Sequence, residues 1–413
     1  MKYARITYTG KLKNANIKLP KSKSISNRLL IMNELCDHSL NIEQLSESDD
    51  TKALLKGLEQ MRDKQALVDI GDAGTAARFL SVLMAIKGFE GVLTGSPRMQ
   101  ERPMFALLDA LRELGAQIQC LEKPGYLPVR FSKPVMKGGD VEVRADISSQ
   151  FTSALMMAGP YLAGGLNLHL TGDITSAPYI AMTLNLMELC GIKCQWRGKV
   201  ITIPEGRYRP TRLVVESDWS AAAPFYALSS LASNINFDFD NLGMSELQGD
   251  KRAAELFKQL GVITTSTSEG IRIKGGGPVK SFVEIDFTES PDLAQSLITA
   301  AAAHMSEGMF TGLHTLHHKE TDRYQAILTE LKGVGIATRN DGFTTIRVMP
   351  GTLLHNPSIH TYGDHRMAMA FAVLAPKTNQ IEIENPDVVA KSFPGFWEEL
   401  MKTGLIVEFY DLP

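Results

Sequence analysis

The sequence repeats one pattern about six times, and this repetition limits what the chain can fold into. Each copy has a polar start, an amphipathic helix pattern, a glycine and then a β-prone run. A degenerate copy lies near residues 58–61, and the other five end their helix at a glycine. These glycines are spaced by roughly 70 residues: Gly115, Gly191, Gly261, Gly335 and Gly404. The chain is therefore predicted to consist of about six similar units.

Helix and strand patterns both occur within a copy. In the second copy, apolar residues over 104–114 fall on one helical face, with Pro103 at a first helical position. The fourth copy has the same pattern over 253–260. Strands are predicted at 168–171 and in the alternating run 235–240. Each unit is therefore predicted to be mixed α and β.

A second helix type is apolar on nearly every side, as in 152–158 and 299–303. Such helices are usually buried. One segment of this type begins in each copy, just after a polar or charged loop, near Ser24, Gly74, Ser149, Ser220, Asp292 and His365. If the six helices run parallel and direct their N-termini to one place, their unpaired N–H groups and partial positive charges form a site for anions.

Basic, hydroxyl-rich loops at 23–28, 98–103 and 319–323 support a small anionic ligand. Cations beside the N-terminus of a helix are unfavourable for the helix dipole, so a bound anion is the physical reason expected for them. The formal net charge of the 413 residues is only −3, which argues against a protein that coats nucleic acid. P-loop and Rossmann glycine patterns are both missing, and the glycine spacing in 71–75 fits neither.

Composition and length predict a globular protein with two large domains. No window reaches the ~18 apolar residues of a membrane span, and the N-terminus lacks a signal-peptide core. Clustered His314, His317 and His318 lack a further ligand at recognised spacing, so no metal is predicted. The cysteines are predicted to be free thiols of a cytoplasmic protein: Cys36, Cys120, Cys190 and Cys194.

Motifs along nearly the whole chain, in a fixed order, resemble those of one enzyme family. They are 22–24 with 27–28, 48–50, 73–76, 97–99 with 101–103, 148–151, Ser176 with 178–179, 319–323, 364–369 and Lys391. In these motifs the chain is similar to the 5-enolpyruvylshikimate-3-phosphate synthase family, the enolpyruvyl transferases of the shikimate pathway.

The resemblance implies an α/β fold called the two-domain inverted α/β barrel, with six βαβαββ units, three per domain. Residues 1–20 and 217–413 would form the first, discontinuous domain and 21–216 the second, with the active site in the cleft between them. The implied protein is a monomer that needs no cofactor and binds neither nucleic acid nor membrane. Its partners would be two small anions, phosphoenolpyruvate and shikimate-3-phosphate.

Residue by residue, the resemblance also implies two groups of binding side chains. The phosphoenolpyruvate group is Lys23, Gly74, Arg102, Gln150, Arg323, Arg366 and Lys391. The shikimate-3-phosphate group is Ser24, Arg28, Ser148, Ser149, Gln150, Ser176, Tyr179, Asp292 and Lys319. Arginine suits bidentate contacts with phosphate and carboxylate, and hydroxyls add hydrogen bonds without further charge.

The implied reaction is an addition followed by an elimination. The 5-hydroxyl of shikimate-3-phosphate attacks C2 of phosphoenolpyruvate while C3 is protonated, and phosphate then leaves. By the same resemblance Asp292 is the expected base at the hydroxyl, Glu320 the expected proton carrier at C3, and Lys23 a participant in phosphate departure.

Several positions depart from the usual pattern of the family. Lys21 and Asp72 replace a glycine and an asparagine, Thr315 replaces an asparagine that contacts shikimate-3-phosphate, and Phe79 stands where many members have proline. The segment between Asp50 and Asp72 is shorter than usual by roughly a strand and its turns. The first of the six βαβαββ repeats along the chain is therefore predicted to have a smaller sheet.

Two other functions remain open from the sequence. The UDP-N-acetylglucosamine enolpyruvyl transferases share the implied fold and normally have a cysteine in a mobile loop, but the comparable loop 94–100 has none. A non-catalytic anion-binding protein of the same fold is the second alternative, and the presence of both candidate carboxylates argues against it.

Overall fold

The computed structural model describes residues 1–133 and 136–412, and its strands are short. The strands of the first half are Lys2–Thr7 (β1), Ala15–Asn16 (β2), Asn41–Glu43 (β3), Leu67–Asp69 (β4), Gly91–Thr94 (β5), Gln117–Cys120 (β6), Val129–Ser132 (β7), Gly139–Arg144 (β8), Leu166–Thr171 (β9), Gln195–Arg197 (β10), Val200–Ile203 (β11) and Arg212–Val214 (β12). Those of the second half are Asn236–Asp240 (β13), Ile263–Ser266 (β14), Gly270–Lys274 (β15), Phe282–Asp286 (β16), Glu307–Thr311 (β17), Thr338–Asn340 (β18), Ile346–Val348 (β19), Ser358–Ile359 (β20), Gln380–Glu384 (β21) and Ile406–Asp411 (β22).

Helices alternate with these strands along the chain. The α-helices are Lys23–Leu35 (α1), Asp49–Arg62 (α2), Gly74–Lys87 (α3), Pro97–Gln100 (α4), Phe105–Glu113 (α5), Ser149–Ala158 (α6), Ala177–Leu189 (α7), Trp219–Ser230 (α8), Ala253–Leu256 (α9), Ala294–Ala303 (α10), Arg323–Gly333 (α11), His365–Ala372 (α12), Ala375–Thr378 (α13) and Phe396–Lys402 (α14). The 3₁₀ helices are Gly159–Tyr161, Gly249–Arg252, Phe257–Gln259, Pro291–Leu293, His314–His318 and Pro386–Lys391. Within residues 1–133 and 136–412, no helix has both the length and the apolar character to cross a membrane.

Among the described residues, five of the six sheets have the same topology. In the sheet β10-β11-β9-β8, for example, β8 and β9 pair in parallel through α6, and β9, β11 and β10 pair antiparallel. The helix α7 lies in sequence between β9 and β10. This order of elements is a βαβαββ unit, so the repetition predicted from the sequence is confirmed.

The repeat glycines have a structural reason in common. Each follows a helical segment and has φ between 79° and 96°, a left-handed conformation that suits glycine because it has no Cβ. The chain leaves the helix at that residue and enters the antiparallel strands. This explains the regular spacing of Gly115, Gly191, Gly261, Gly335 and Gly404.

The N-terminal residues complete two βαβαββ repeats whose other elements belong to the C-terminal half. Strand β1 pairs antiparallel with both β21 and β22, and it is the fourth strand of the sheet β20-β21-β1-β22. Strand β2 pairs in parallel with β13. The first unit of structure is therefore made of Met1–Pro20 and Glu216–Pro413, and the second is Lys21–Val215. These are called the first unit and the second unit below.

Three buried helices pack against one another in each unit. They are α8, α10 and α12 in the first unit, and α1, α3 and α6 in the second. All six begin at or within two residues of the positions predicted from the sequence. Small residues allow this close packing, and Ala221, Ala300 and Ala368 are almost fully buried.

The remaining sheet is smaller, as predicted from the short segment before Asp72. It has two parallel strands, β12 and β3, whereas each of the others has four among the described residues. After α2 the chain passes directly into β4, which pairs with β5 in the next sheet. The missing piece is thus the whole antiparallel pair, which is more than the single strand expected.

Two details of the helix predictions were wrong. The helix of the second copy begins at Phe105 after Met104, so Pro103 lies outside it. In the fourth copy, the predicted helix over 253–260 is a four-residue α9 between two 3₁₀ helices. All four cysteines have free thiols, as predicted.

Candidate active site

The carboxylate of Asp292 is the centre of a charged cluster in the first unit. Asp292 lies in the 3₁₀ helix Pro291–Leu293, which leads into α10. Its Oδ1 lies 3.2 Å from Nη1 of Arg323 and 3.4 Å from Nζ of Lys319. Its Oδ2 accepts a hydrogen bond of 2.9 Å from Nη2 of Arg366. Three cations predicted from two separate motifs, 319–323 and 364–369, therefore contact one carboxylate.

Arg323 is the most deeply buried cation of this cluster, with a side chain that is 1% exposed. It is the first residue of α11, where Asp322 caps the helix through the backbone N–H of Gln325. Its Nη2 donates to Oε2 of Glu320 at 2.7 Å. The two proposed proton-transfer carboxylates, Asp292 and Glu320, thus share Arg323 as a partner.

Asp364 also belongs to this cluster, although the sequence reasoning gave it no role. Its Oδ2 accepts from Nε of Arg323 at 2.6 Å, and its Oδ1 lies 3.3 Å from Nη2. The same Oδ1 caps α12 by accepting from the backbone N–H of Arg366 at 2.8 Å. An aspartate just before a buried helix start was the available signal, and it indicates a cap as readily as a partner for arginine.

Arg366 brings the starts of the three buried helices together. Its Nη1 donates to the backbone oxygen of Asp292 at 2.9 Å, and its Nη2 donates to Oγ of Ser220 at 3.0 Å. Ser220 is in turn held by Asp218, the cap of α8, at 2.8 Å. The six residues Asp292, Lys319, Glu320, Arg323, Asp364 and Arg366 are called the first-unit cluster below.

Opposite charges in this cluster shift the pKa of its members. Burial would raise the pKa of Asp292, but the cations of Arg366, Lys319 and Arg323 outweigh burial and hold that pKa well below its ordinary value. Burial likewise would lower the pKa of Arg323, whereas Asp364, Glu320 and Asp292 raise it. Asp292 is therefore ionised and, with its cations in place, a weak base.

Three more residues of interest lie around this cluster. Lys391 is half-buried at the end of the 3₁₀ helix Pro386–Lys391, which packs against α12. His365 begins α12, and its Nδ1 lies 3.6 Å from Oδ1 of Asp364. Thr315 is buried, and its Oγ1 has no hydrogen-bond partner within residues 1–133 and 136–412.

In the second unit, Lys23 begins α1 and pairs with a carboxylate on α2. Its Nζ lies 2.8 Å from Oδ2 of Asp50, and the two side chains are 15% and 6% exposed. Ser24 is the next residue of the same helix and is half-buried. Ser22 caps the helix by accepting from the backbone N–H of Ile25.

Gly74 begins α3 between two arginines. A Cβ at this position would lie 2.5 Å from Nη1 of Arg102 and 2.6 Å from Nη1 of Arg78, so only glycine leaves both guanidinium groups where they are. Arg78 donates to the backbone oxygen of Gly74 at 3.0 Å. Arg102 is buried, and its Nε has no hydrogen-bond partner among the described residues.

Gln150 connects the start of α6 to the start of α3. Its Nε2 donates to Oγ1 of Thr75, which follows Gly74, at 3.2 Å. Its backbone N–H donates to Oγ of Ser148, the cap of α6, at 3.2 Å. Ser149 is the first residue of that helix and is 8% exposed.

Arg28 is almost fully buried and donates to hydroxyl and backbone oxygens. Its Nε donates to Oγ1 of Thr183 at 2.7 Å, and its Nη1 donates to the backbone oxygen of Ser24 at 2.9 Å. The guanidinium also lies over the ring of Phe79, one of the positions that depart from the family pattern. Burial lowers the pKa of Arg28 to about 10, so it remains a cation at neutral pH.

Tyr179 and Ser176 lie on the other side of Arg28, at the start of α7. The backbone oxygen of Tyr179 is 3.3 Å from Nη2 of Arg28. Ser176 precedes the helix in a left-handed conformation with φ 54°, which is uncommon for a residue other than glycine. The six residues Lys23, Arg28, Gly74, Arg78, Arg102 and Gln150 are called the second-unit cluster below.

The clustered histidines are not part of a metal site, since within residues 1–133 and 136–412 no group of three or more His, Cys, Asp or Glu side chains is placed to hold a metal ion. Both ring nitrogens of His317 face protein oxygens, Oδ2 of Asp322 at 2.9 Å and the backbone oxygen of Phe343 at 3.0 Å. Cys36 and the other cysteines contribute nothing to the two clusters, and burial raises the pKa of Cys190 and of Cys194 to about 12.

Comparison with known proteins gives a consistent result. Residues 60–400 match the family model described as EPSP synthase (3-phosphoshikimate 1-carboxyvinyltransferase). A relative from Bacteroides fragilis (strain YCH46), named 3-phosphoshikimate 1-carboxyvinyltransferase, is 41% identical over 396 residues. The match covers 94% of this chain and 95% of that protein.

Solved structures agree on the fold. The structure of an EPSP synthase from Acinetobacter baumannii has a TM-score of 0.80 to this chain at 23% identity, over 100% of both chains. The enolpyruvyl transferase NikO from Streptomyces tendae has a TM-score of 0.74 at 14% identity, over 100% of this chain and 99% of that one. The predicted fold class, a two-domain α/β fold of six repeated units, is confirmed.

Proposed function

This chain belongs to the EPSP synthase family, and from that premise we propose which of its residues bind the two substrates and which transfer protons. Its reaction is the transfer of the enolpyruvyl group of phosphoenolpyruvate to shikimate-3-phosphate, with release of phosphate, in the shikimate pathway. Neither the UDP-N-acetylglucosamine transferase nor a non-catalytic anion-binding role is favoured by the relatives.

Asp292 is proposed as the base that removes the proton from the 5-hydroxyl as this oxygen attacks C2 of phosphoenolpyruvate. The observation that supports this role is the contact of one carboxylate with Arg323, Lys319 and Arg366. With these cations close by, Asp292 holds its proton weakly. Substrate anions that bind the same cations would reduce their effect on Asp292, so its basicity would rise when both substrates are present.

Glu320 is proposed to deliver the proton to C3 in the addition step. Its carboxylate contacts Arg323, a proposed phosphoenolpyruvate ligand, which would hold it near the reacting double bond. In the elimination, C3 loses a proton, the bond from C2 to the phosphate oxygen breaks, and the double bond forms again. Lys23 is proposed to stabilise the departing phosphate with its ammonium group.

The remaining ligands are proposed in the two groups expected from the resemblance. For phosphoenolpyruvate they are Arg102, Arg366 and Lys391, with Gly74 leaving space for the phosphate and Gln150 donating its amide. For shikimate-3-phosphate they are Ser24, Arg28, Ser148, Ser149, Gln150, Ser176, Tyr179 and Lys319. Helix starts and hydroxyls around these positions support anion binding, because their N–H and O–H groups are donors.

The first and second units are proposed to be the two domains of the enzyme, acting together on one pair of substrates. We further propose that the enzyme is a monomer in the cytoplasm, where its four free thiols would stay reduced. Light scattering on the purified protein tests the monomer, because a mass near 45.4 kDa is expected.

Phosphate release tests the proposed roles. The purified protein receives phosphoenolpyruvate with shikimate-3-phosphate, or with UDP-N-acetylglucosamine as a control acceptor, without added metal. Release is expected with shikimate-3-phosphate alone, and Glu320→Gln is expected to reduce its rate by about 10²-fold or more.

Glu330→Gln is the matched control, since Glu330 is a buried glutamate of the same unit whose carboxylate accepts from the hydroxyl of Tyr362 at 2.7 Å. Wild-type turnover by the Glu320 variant would remove this residue from the proton transfer. Equal losses in both variants would indicate a structural effect.

A further inference from the structure

His317 lies two residues before Lys319 of the first-unit cluster. It belongs to the 3₁₀ helix His314–His318, and its side chain is 15% exposed. The centre of its ring is 4.9 Å from that of Tyr324, at an interplanar angle of 34°, and 5.5 Å from that of Phe343, with which it is nearly parallel at 11°. The imidazole thus packs against two aromatic rings.

Both ring nitrogens of His317 face groups that accept hydrogen bonds. Nδ1 lies 2.9 Å from Oδ2 of Asp322, and Nε2 lies 3.0 Å from the backbone oxygen of Phe343. A carboxylate and a carbonyl oxygen have no proton to donate. Only the doubly protonated ring can therefore donate to both, because neutral imidazole has a single N–H. Two aromatic faces within about 6 Å also favour a cation.

The two acceptors belong to different parts of the first unit. Asp322 caps α11, at the end of the segment 319–323. Phe343 is in the turn between β18 and β19, where Oδ1 of Asp341 accepts from the backbone N–H groups of Phe343, Thr344 and Thr345. Burial would raise the pKa of Asp341, but these N–H groups outweigh burial and lower it, so the turn is well ordered around a carboxylate.

We propose that protonated His317 is a positioning residue for the reaction, because it links the segment that contains Lys319, Glu320 and Arg323 to the ordered turn at 340–345. This inference rests on the proposed roles of Lys319 and Glu320. His317 has no proposed contact with substrate. It acts by fixing the backbone from which those side chains project.

The direction of the pH dependence follows from the charges that face the ring. Asp322 lies beside Nδ1, Asp341 accepts from the hydroxyl of Tyr324, and the titratable groups nearest along the chain are His314, His318 and Lys319. At low pH the imidazolium makes both hydrogen bonds. As pH rises and the ring loses a proton, a lone pair faces one of the two oxygens, and the segment 319–323 loses one of its attachments.

Two substitutions separate charge from shape. His317→Gln is uncharged, whereas His317→Arg has several donors and stays charged at every working pH. We expect kcat/KM for phosphoenolpyruvate to be about ten-fold lower in His317→Gln than in the wild type at pH 6, because a misplaced reacting group lowers the rate. The two activities should become equal at high pH, where a neutral imidazole can donate to only one of the two oxygens. His317→Arg should keep its activity, relative to the wild type, increasingly well as pH rises.

His169→Gln is the matched control. His169 is a half-exposed histidine of β9 in the second unit, with Nε2 2.8 Å from Oδ1 of Asp140, and its loss should leave the ratio to wild type unchanged with pH. A wild-type to His317→Gln ratio that is constant across pH would overturn the proposal, with or without a loss of activity. If His317→Gln does not fold, the activity of His317→Arg relative to the wild type is the test. A relative activity that stays constant with pH would also overturn the proposal. The proposal for His317 is tested by the trend of activity with pH. The proposed role of Glu320 is tested separately, because wild-type turnover by Glu320→Gln would contradict that role whatever the pH trend of the His317 variants.

Discussion

The cations of the two clusters have different partners. In the first-unit cluster three cations face three carboxylates, and Arg323 alone contacts Asp292, Glu320 and Asp364. In the second-unit cluster Arg28 and Arg78 both donate hydrogen bonds to neutral groups. Arg28 donates to hydroxyl and backbone oxygens, and Arg78 donates to backbone oxygens and approaches the sulfur of Met99.

This difference suggests different tasks. A balanced set of charges can hold ionised carboxylates close together and adjust their proton affinity, which proton transfer requires. A set of arginines with neutral partners keeps its positive charge available for a ligand anion. Lys23 is the exception in the second unit, because Asp50 lies 2.8 Å from its ammonium group.

Asp292→Asn is the change expected to have the largest effect. Removal of the base should reduce kcat by about 10³-fold. The same change removes a negative charge from between three cations, so the first-unit cluster becomes more positive and inorganic phosphate or phosphoenolpyruvate should bind at least as tightly as in the wild type. Phosphate release gives the rate, and titration calorimetry gives the affinity.

Asp238→Asn is the matched control for that experiment. Asp238 pairs with Arg272 at 2.7 Å on the exposed face of a sheet in the same unit, so its rate and affinity should stay near the wild-type values. Weaker anion binding by Asp292→Asn would contradict the balance described above, because it would mean that Asp292 supports the anion site and does not compete with it.

Gly74→Ala is the corresponding change in the second-unit cluster. Its new Cβ would lie 2.5 Å from Nη1 of Arg102, and the guanidinium is the end of a flexible side chain that can move away. Stability should therefore change little, whereas KM for phosphoenolpyruvate should rise by roughly 10- to 100-fold because the arginine is displaced. The effect on kcat should be smaller, since the proposed proton-transfer groups belong to the first unit.

Gly333→Ala is the control, because a Cβ at this helical glycine meets no atom within 4 Å. Steady-state kinetics at varied phosphoenolpyruvate concentrations separates the two parameters. A Gly74 variant whose KM equals that of the wild type would show that Arg102 does not have to lie against this backbone to bind substrate.

Many of the residues and helix starts that form the two clusters could be predicted from the sequence. The helix starts at Gly74, Ser149 and His365 follow from periodicity, because a long apolar helix has a strong signal. The cations Arg102, Arg323 and Arg366 were identified through the resemblance to a family. The short segment before Asp72 predicted a reduced sheet because missing length is visible in any sequence.

Other features had no such signal. The parallel partner of β3 is β12, a three-residue strand more than 160 positions away, and strands this short show no period. The contact of Asp364 with Arg323 depends on the packing of α11 against α12, and an aspartate before a helix is already explained as a cap. The protonation state required of His317 depends on which atoms face its two nitrogens, which a sequence does not specify.

Stability in acid should also distinguish the two clusters, with a smaller effect than either kinetic change. The pKa of Asp292 is held below its ordinary value by Arg366, Lys319 and Arg323 in spite of burial, so the unfolded chain binds the proton more readily than the folded protein does. The stabilisation from Asp292 is therefore complete above the ordinary carboxyl pKa of about 3.9 and is lost as pH falls below it.

The wild-type Tm, measured by calorimetry from about pH 6 to about pH 3, should therefore fall more steeply than that of Asp292→Asn. Asp238→Asn again serves as the control. Parallel curves for the wild type and Asp292→Asn would mean that this carboxylate has the same proton affinity in the folded and unfolded chains, and the view that cations suppress its basicity would then be wrong.

Thr315→Ala is expected to have the smallest effect, and it tests whether a neutral contact accompanies the charged ones in the first unit. The buried Oγ1 of Thr315 has no partner in the described part of the chain, so no hydrogen bond within the protein is lost and Tm should hardly change. If the hydroxyl contacts shikimate-3-phosphate, KM for this substrate should rise by about two- to ten-fold, as expected for one hydrogen bond. Thr403→Ala is the converse control, because its buried hydroxyl donates to the backbone oxygen of Leu400 at 2.6 Å, so Tm should fall and KM should not change. If Thr315→Ala lowers Tm and leaves KM unchanged, Thr315 has a structural role, and the recognition of shikimate-3-phosphate by the first unit then depends on Lys319 and Asp292.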